Sequence, residues 1–177
     1  MNLGKHFLDN IRTELERTKR QAERAMAQLP DDEAWHQAAD AESNSIAVLV
    51  QHLGGNMVSR WTDFLTTDGE KPDRRRDEEF EARKTTTPIE LMEIWERGWA
   101  CAFETLAELT PEDLMKTVRI RGEPHTVVEA IHRQYGHASH HVGQIVLQAK
   151  HLAAGSWQTL SIPRGGSKGF GGDYKQR

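Results

Sequence analysis

The chain has 177 residues, 28% of them charged and 37% hydrophobic, with a formal net charge of −4. That length suits one domain with one core, and the acidic balance gives no general electrostatic reason to bind nucleic acid or anionic membrane. No apolar run approaches a membrane span and Met1 to Arg24 holds no apolar signal core; the single cysteine, Cys101, excludes an internal disulfide and fits a reducing, cytoplasmic setting.

Leu3, Phe7, Ile11, Leu15, Ala22 and Leu29 mark one face of a first helix over about residues 2–29, which Pro30 ends. Asp31 to Asn44 reads as a polar connector, with Trp35 folded back on the core. A second helix begins near Ser43 or Ser45, both good N-cap residues. Ile46, Leu49, Val50, Leu53, Met57, Trp61 and Phe64 form its buried face, with His52 and Asn56 at the edge.

Thr66 to Thr87 is a connection of about twenty residues, long for a compact domain. A link of that length can cross the end of a bundle and let two helices run parallel. Its bases, Lys71, Arg74, Arg75, Arg76, Arg83 and Lys84, are interleaved with Asp73, Asp77, Glu78, Glu79 and Glu81, so it reads as solvated or self-paired rather than as a nucleic-acid surface. Phe80 is placed to pin it to the body.

Thr87-Pro88 starts a third helix, with Met92, Trp95, Trp99, Phe103, Leu106 and Leu109 as its buried face and Cys101 off the seam. No histidine is close in sequence to activate that thiol, so it reads as an inert small side chain. Thr110-Pro111 closes the helix. The run from Thr117 to Val127 forms either a small hairpin about Gly122 or an extended link. Thr126 and Glu129 make a capping box for a fourth helix that runs to about Ala154, stopped by Gly155. His125 reads as structural, and His151 as a partner of the helix C-terminus. The tail from Trp157 begins with enough apolar surface to lie on the bundle. Its glycines, up to Gly171-Gly172 beside Phe170, lack the spacing of a phosphate loop. The expected organisation is all-α: a four-helix bundle over 1–160 with a long crossover between the second and third helices, then a tail over 161–177.

The chemistry concentrates in the fourth helix. Val128, Ile131, Tyr135, Ala138, Val142, Ile145, Ala149 and Leu152 form its buried stripe. Gln134, His137, His141, Gln144 and Gln148 run beside it as a polar ribbon at the edge of the seam. His137 and His141, four apart, present imidazoles about 5–6 Å from each other on one face, close enough to share a metal ion. His132 and His140 fall on the outer face. The pair needs a third ligand from another element, and His52 is the natural one. Alone, His52 would read as an ordinary core or surface residue. Asn56 and Gln144 either orient a ligand or substrate or are ordinary polar edge residues.

The chain resembles the DinB/YfiT-like superfamily. The marks are the histidine in Val50-Gln51-His52-Leu53 and the run His137-Ala-Ser-His-His141-Val-Gly-Gln144. The resemblance is closer to one uncharacterised branch. Shared with that branch are the block from Glu42 to Ala47, the segment from Asn56 to Phe64, the run Asp68-Gly-Glu-Lys-Pro72 and the ending Ser161-Ile-Pro-Arg-Gly165. The resemblance implies a four-helix bundle with a long crossover, His52, His137 and His141 as metal ligands, nickel or zinc as the ion, and a homodimer. It also implies an enzyme that activates a low-molecular-weight thiol for transfer or isomerisation. Three imidazoles leave a coordination position open that would activate water as well as a thiol, so the expected activity is transfer or hydrolysis of a small molecule. A metal-binding or interaction bundle without catalysis is the alternative. Ligand histidines must be neutral, so binding should weaken as the pH falls toward about 6.5.

Overall fold

The computed structural model describes residues 2–81 and 85–169. Arg83 and Lys84 of the crossover, and Phe170, Gly171 and Gly172 of the tail, lie outside the described residues.

Four helices make the body: α1 (Leu3–Met26), α2 (Ile46–Trp61), α3 (Pro88–Glu108) and α4 (Val127–Ala153). Each begins where a side chain satisfies the first free N–H groups. The Asn2 side chain accepts from the Lys5 N–H, Ser45 (not Ser43) from Val48, Thr87 from Glu90, and Thr126 from Glu129; the last two are closed capping boxes. α1 ends at Met26, a turn before the expected limit near Leu29. Leu3, assigned by its spacing to the buried face, is 81% exposed. The first turn of α1 runs past the end of the core, so periodicity alone misplaces it. α4 leaves its helical path at Ala154, with φ 45°, one residue before the expected Gly155.

α2 is buried on nearly every side, and Ile46, Leu49, Val50, Leu53 and Met57 are wholly enclosed. A helix apolar all round belongs in the middle of a fold. It packs most extensively on α3. A Cβ on Gly98 would stand 2.8 Å from Gly54 Cα, so the two helices touch backbone to backbone there. Further along, the Thr105 hydroxyl donates to the Trp61 carbonyl at 3.0 Å. Sequence position rises together on both helices, so α2 and α3 run parallel, which is what the long crossover permits.

α1 and α4 form the other parallel pair. The Phe7 ring lies 5.4 Å from that of His132 at one end, and Gln28 exchanges two hydrogen bonds with the backbone of Gln158 at the other. The start of the tail therefore lies on the bundle, as its apolar residues suggested. Between pairs the helices are antiparallel. Asn44 accepts from Gln148 while His52 meets His137, and Lys19 reaches Glu96 while Glu23 accepts from Trp95. The centre is filled by Trp61, Trp95 and Trp99, each almost wholly buried, with Trp35 closing one side. Loss of any one of the three central indoles would cost about 3–5 kcal/mol.

The α3–α4 connection is the hairpin alternative. β1 (Thr117–Ile120) and β2 (Glu123–Thr126) pair antiparallel through a two-residue turn at Arg121-Gly122. The crossover reaches this hairpin: both oxygens of Asp68 accept from the turn, from the Arg121 N–H at 2.8 Å and the Gly122 N–H at 2.7 Å.

Candidate metal centre

His52 sits in the middle of α2, and His137 and His141 one turn apart on α4. The antiparallel packing of these helices turns all three toward one point. Their candidate ligand atoms lie within 4.8 Å of one another. The Nε2 atoms of His52 and His137 are 3.1 Å apart. Two nitrogens at about 2.0–2.1 Å from a tetrahedral ion stand about 3.3 Å apart, so this edge already has the span of a coordination site. His52 is buried and the other two are half-buried, which gives the point one open side.

Two of the rings are fixed through their far nitrogen. Nδ1 of His52 lies 2.9 Å from Glu79 Oε2, and Nδ1 of His141 lies 2.7 Å from Gln144 Oε1. A carboxylate and an amide oxygen only accept, so each Nδ1 carries a proton, which leaves Nε2 as the atom that a neutral ring offers to a metal. Nδ1 of His137 is buried with no hydrogen-bond partner. Gln144, one of the two orienting candidates, thus holds His141. Asn56 is buried and lines a cavity together with His52 and His137, and its Oδ1 has no hydrogen-bond partner.

Glu79 was legible only as one acid in a charged loop. It stands in a short 3-10 turn, Asp77–Phe80, that folds against α2. A Cβ on Gly55 would collide with its carboxylate, so the glycine leaves the space through which Glu79 reaches His52. Arg74 grips the other side, Nε to Oε1 at 2.8 Å and Nη2 to Oε2 at 2.7 Å, and its Nη1 rests on Glu70 at 3.2 Å. This fork-to-fork pairing is the strong form of the contact. The loop is self-paired, and Arg74 within it is almost wholly buried. Phe80 packs its ring 4.6 Å from that of His52, the pinning role its position suggested.

The electrostatics follow from this packing. Burial pushes the Glu79 carboxyl up, but hydrogen bonds from His52 and Arg74 outweigh it and hold the group below its usual value. Burial, then the charges of His141 and His52 and the guanidiniums of Arg60 and Arg74, push His137 down to about 3. Burial also pushes His141 down, against the opposing pull of Gln144. Both imidazoles are therefore neutral at physiological pH, the form that offers a lone pair to a metal. The donor set fits a borderline divalent ion.

His132, His140 and His151 are exposed, as their positions on the outer face or last turn required. Cys101 is half-buried, with Sγ 3.6 Å from the Thr62 hydroxyl. Among the described residues no helix is long and apolar enough to cross a membrane.

A bundle of four helices with an inward histidine triad, drawn from two antiparallel helices, defines a class of helical proteins with a site able to hold a metal ion. Within that class, the chain belongs to the DUF1572 family, described as "Protein of unknown function", whose model matches residues 2–166. No curated protein and no solved structure matches it.

Proposed function

We propose that the chain is a DinB/YfiT-like protein in which His52, His137 and His141 hold one divalent ion, nickel or zinc, and that it acts as a metal-dependent transferase or hydrolase on small molecules. The observation that carries this reading is the convergence of the three imidazoles, two of them held through Nδ1 by Glu79 and Gln144. Three neutral protein ligands are the pattern of a catalytic rather than a closed structural site. An ion so held supplies Lewis acidity, lowering the pKa of a bound water to about 7 and deprotonating a bound thiol. The chain's own part is orientation and exclusion. Glu79 and Gln144 hold the Nδ1 protons of His52 and His141, Arg74 keeps Glu79 ionised, and Phe80 shields the His52 ring. Dimerisation belongs to the same proposal, and sedimentation would check it.

A second reading, a metal-binding bundle without catalysis, is favoured by one observation. Glu79, the carboxylate that contacts the triad among the described residues, is engaged by both His52 and Arg74 and is not free to act as a base. The test is metal analysis of untagged protein, followed by thiol-conjugation and ester-hydrolysis assays with and without chelator. Stoichiometric metal with chelator-sensitive turnover supports the enzyme. Stoichiometric metal without turnover leaves the second reading. No metal in wild type, at the same level as in His137→Ala, removes both.

A further inference from the structure

A cavity of about 300 Å³ opens against His52 and His137. Five arginines line it, Arg60, Arg74, Arg76, Arg121 and Arg133, and among the described residues no aspartate or glutamate does. A larger cavity of about 580 Å³ beneath the crossover shows the contrast: there Lys71, Arg74, Arg75 and Arg97 face Asp63, Asp73, Glu78 and Glu79 in equal number. Charge is balanced in the larger cavity and one-sided beside the histidines.

The arginines are not all spent on neighbours. Arg74 is committed to Glu79 and Glu70, and Arg76 lies 3.7 Å from Asp77 and 4.9 Å above the centre of the Phe80 ring. Arg121 shares Glu70 at 3.2 Å. Arg60 is 7% exposed, reaches Glu70 only at 3.8 Å, and has its Nη1 buried with no hydrogen-bond partner. Arg133 stands exposed at the rim, with no carboxylate paired to it among the described residues. Gln134, 3% exposed, adds a second buried donor without an acceptor, its Nε2. Buried donors left unpaired are costly and uncommon in a native protein. Burial, with Arg133, Arg74 and Arg121 repelling against the pull of Glu70, lowers Arg60 to about 10, which still leaves it charged at neutral pH.

The hairpin turn carries one of these arginines. Arg121 and Gly122 have φ 55° and 77°, a turn that favours Asn-Gly or Asp-Gly. An arginine breaks that preference, and Asp68 holds it there through the backbone.

We propose that this cavity binds an oxyanion, the carboxylate or phosphate group of the small molecule that reacts at the three histidines. The reaction rests on the metal-dependent reading above; the binding of the anion does not. Full-length untagged protein, treated with chelator, is titrated calorimetrically with inorganic phosphate and separately with succinate, at an ionic strength fixed with chloride. At least one binds with one-to-one stoichiometry, and the one that does identifies the oxyanion. Loss of one charge-assisted contact in Arg133→Ala weakens it about tenfold, whereas Arg97→Ala, in the balanced cavity, leaves it unchanged. Neither ion binding beyond chloride, or Arg133→Ala binding as wild type does, overturns the proposal. Repeating the titration with added zinc or nickel separates the two readings. Anion binding without stoichiometric metal keeps the cavity and removes the metal centre; stoichiometric metal without anion binding does the reverse.

Discussion

Glu79 crosses from the loop between α2 and α3 to accept the Nδ1 proton of His52 at 2.9 Å. The contact fixes the tautomer of the one ligand candidate that α4 does not supply, and it ties the crossover to the site. Carboxylates behind metal-bound histidines typically contribute 10–100-fold to metal affinity. Glu79→Gln keeps the size of the side chain but loses the charge and the Arg74 fork. Metal affinity, read by competition with a chromophoric chelator, should fall by about 10–100-fold, with helical circular dichroism unchanged. Equal affinity in the two proteins would show that the contact serves the loop and not the metal.

Gly55 tests the same contact from below. Alanine in place of glycine favours a helix by about 1 kcal/mol, so on propensity Gly55→Ala should stabilise α2. Its methyl group would collide with the Glu79 carboxylate. Metal affinity should therefore drop, and Gly55→Ala combined with Glu79→Gln should bind metal no worse than Glu79→Gln alone. That non-additivity is the signature of two residues acting through one contact. Independent, additive losses would mean that the methyl group disturbs the histidines directly.

The parts of this architecture written in local pattern were legible, and the parts made by meeting of distant segments were not. Thr87 with Glu90 and Thr126 with Glu129 announce helix starts because a cap uses residues three apart. His137 and His141 announce a shared face because a helix brings positions four apart together. His52 could be joined to them only because its helix edge and theirs both border the seam. Arg74 and Glu79 are a different matter. Their charges stand in a run of mixed sign, and nothing within five residues says that Glu79 turns inward through the gap at Gly55 while Glu78 does not. The arginine cavity is more remote still: Arg60, Arg74, Arg121 and Arg133 come from four elements. Leu3 shows the converse, a correct period extended beyond the end of the core.

The pH dependence of the metal-free protein follows from the buried imidazoles. His137 titrates at about 3 in the folded chain and His141 is also pushed down, whereas unfolded histidine titrates near 6.5. Between these values the unfolded chain binds more protons, so stability falls as pH falls. Above about 6.5 neither state is protonated at these positions, and the contribution is flat. Glu79 acts in the same sense at lower pH, because its folded value lies below its unfolded one and its stabilising contacts persist until the carboxylate is protonated. In chelator, the urea midpoint should decrease from pH 7 to pH 5, and decrease less in His137→Gln. A midpoint unchanged across that range would contradict the neutral, buried state of the pair. The same shift extends metal binding below the pH at which free imidazoles would be protonated.

Metal removal should separate what the triad does for folding from what it does for binding. Metal at a thousandfold over its Kd stabilises the folded state by about 4 kcal/mol, so chelator should lower the melting temperature of wild type at neutral pH. His137→Ala should abolish that response. In the metal-free protein the imidazole of His137 is half-buried, with Nδ1 unpartnered and His52 as its only hydrogen-bond contact among the described residues. Burying such a polar group works against stability. Chelated His137→Ala should therefore melt no lower than chelated wild type, although the same substitution removes the whole of the metal's effect. A ring retained for its packing would give the opposite result, a lower melting temperature in chelator and an undiminished response to metal.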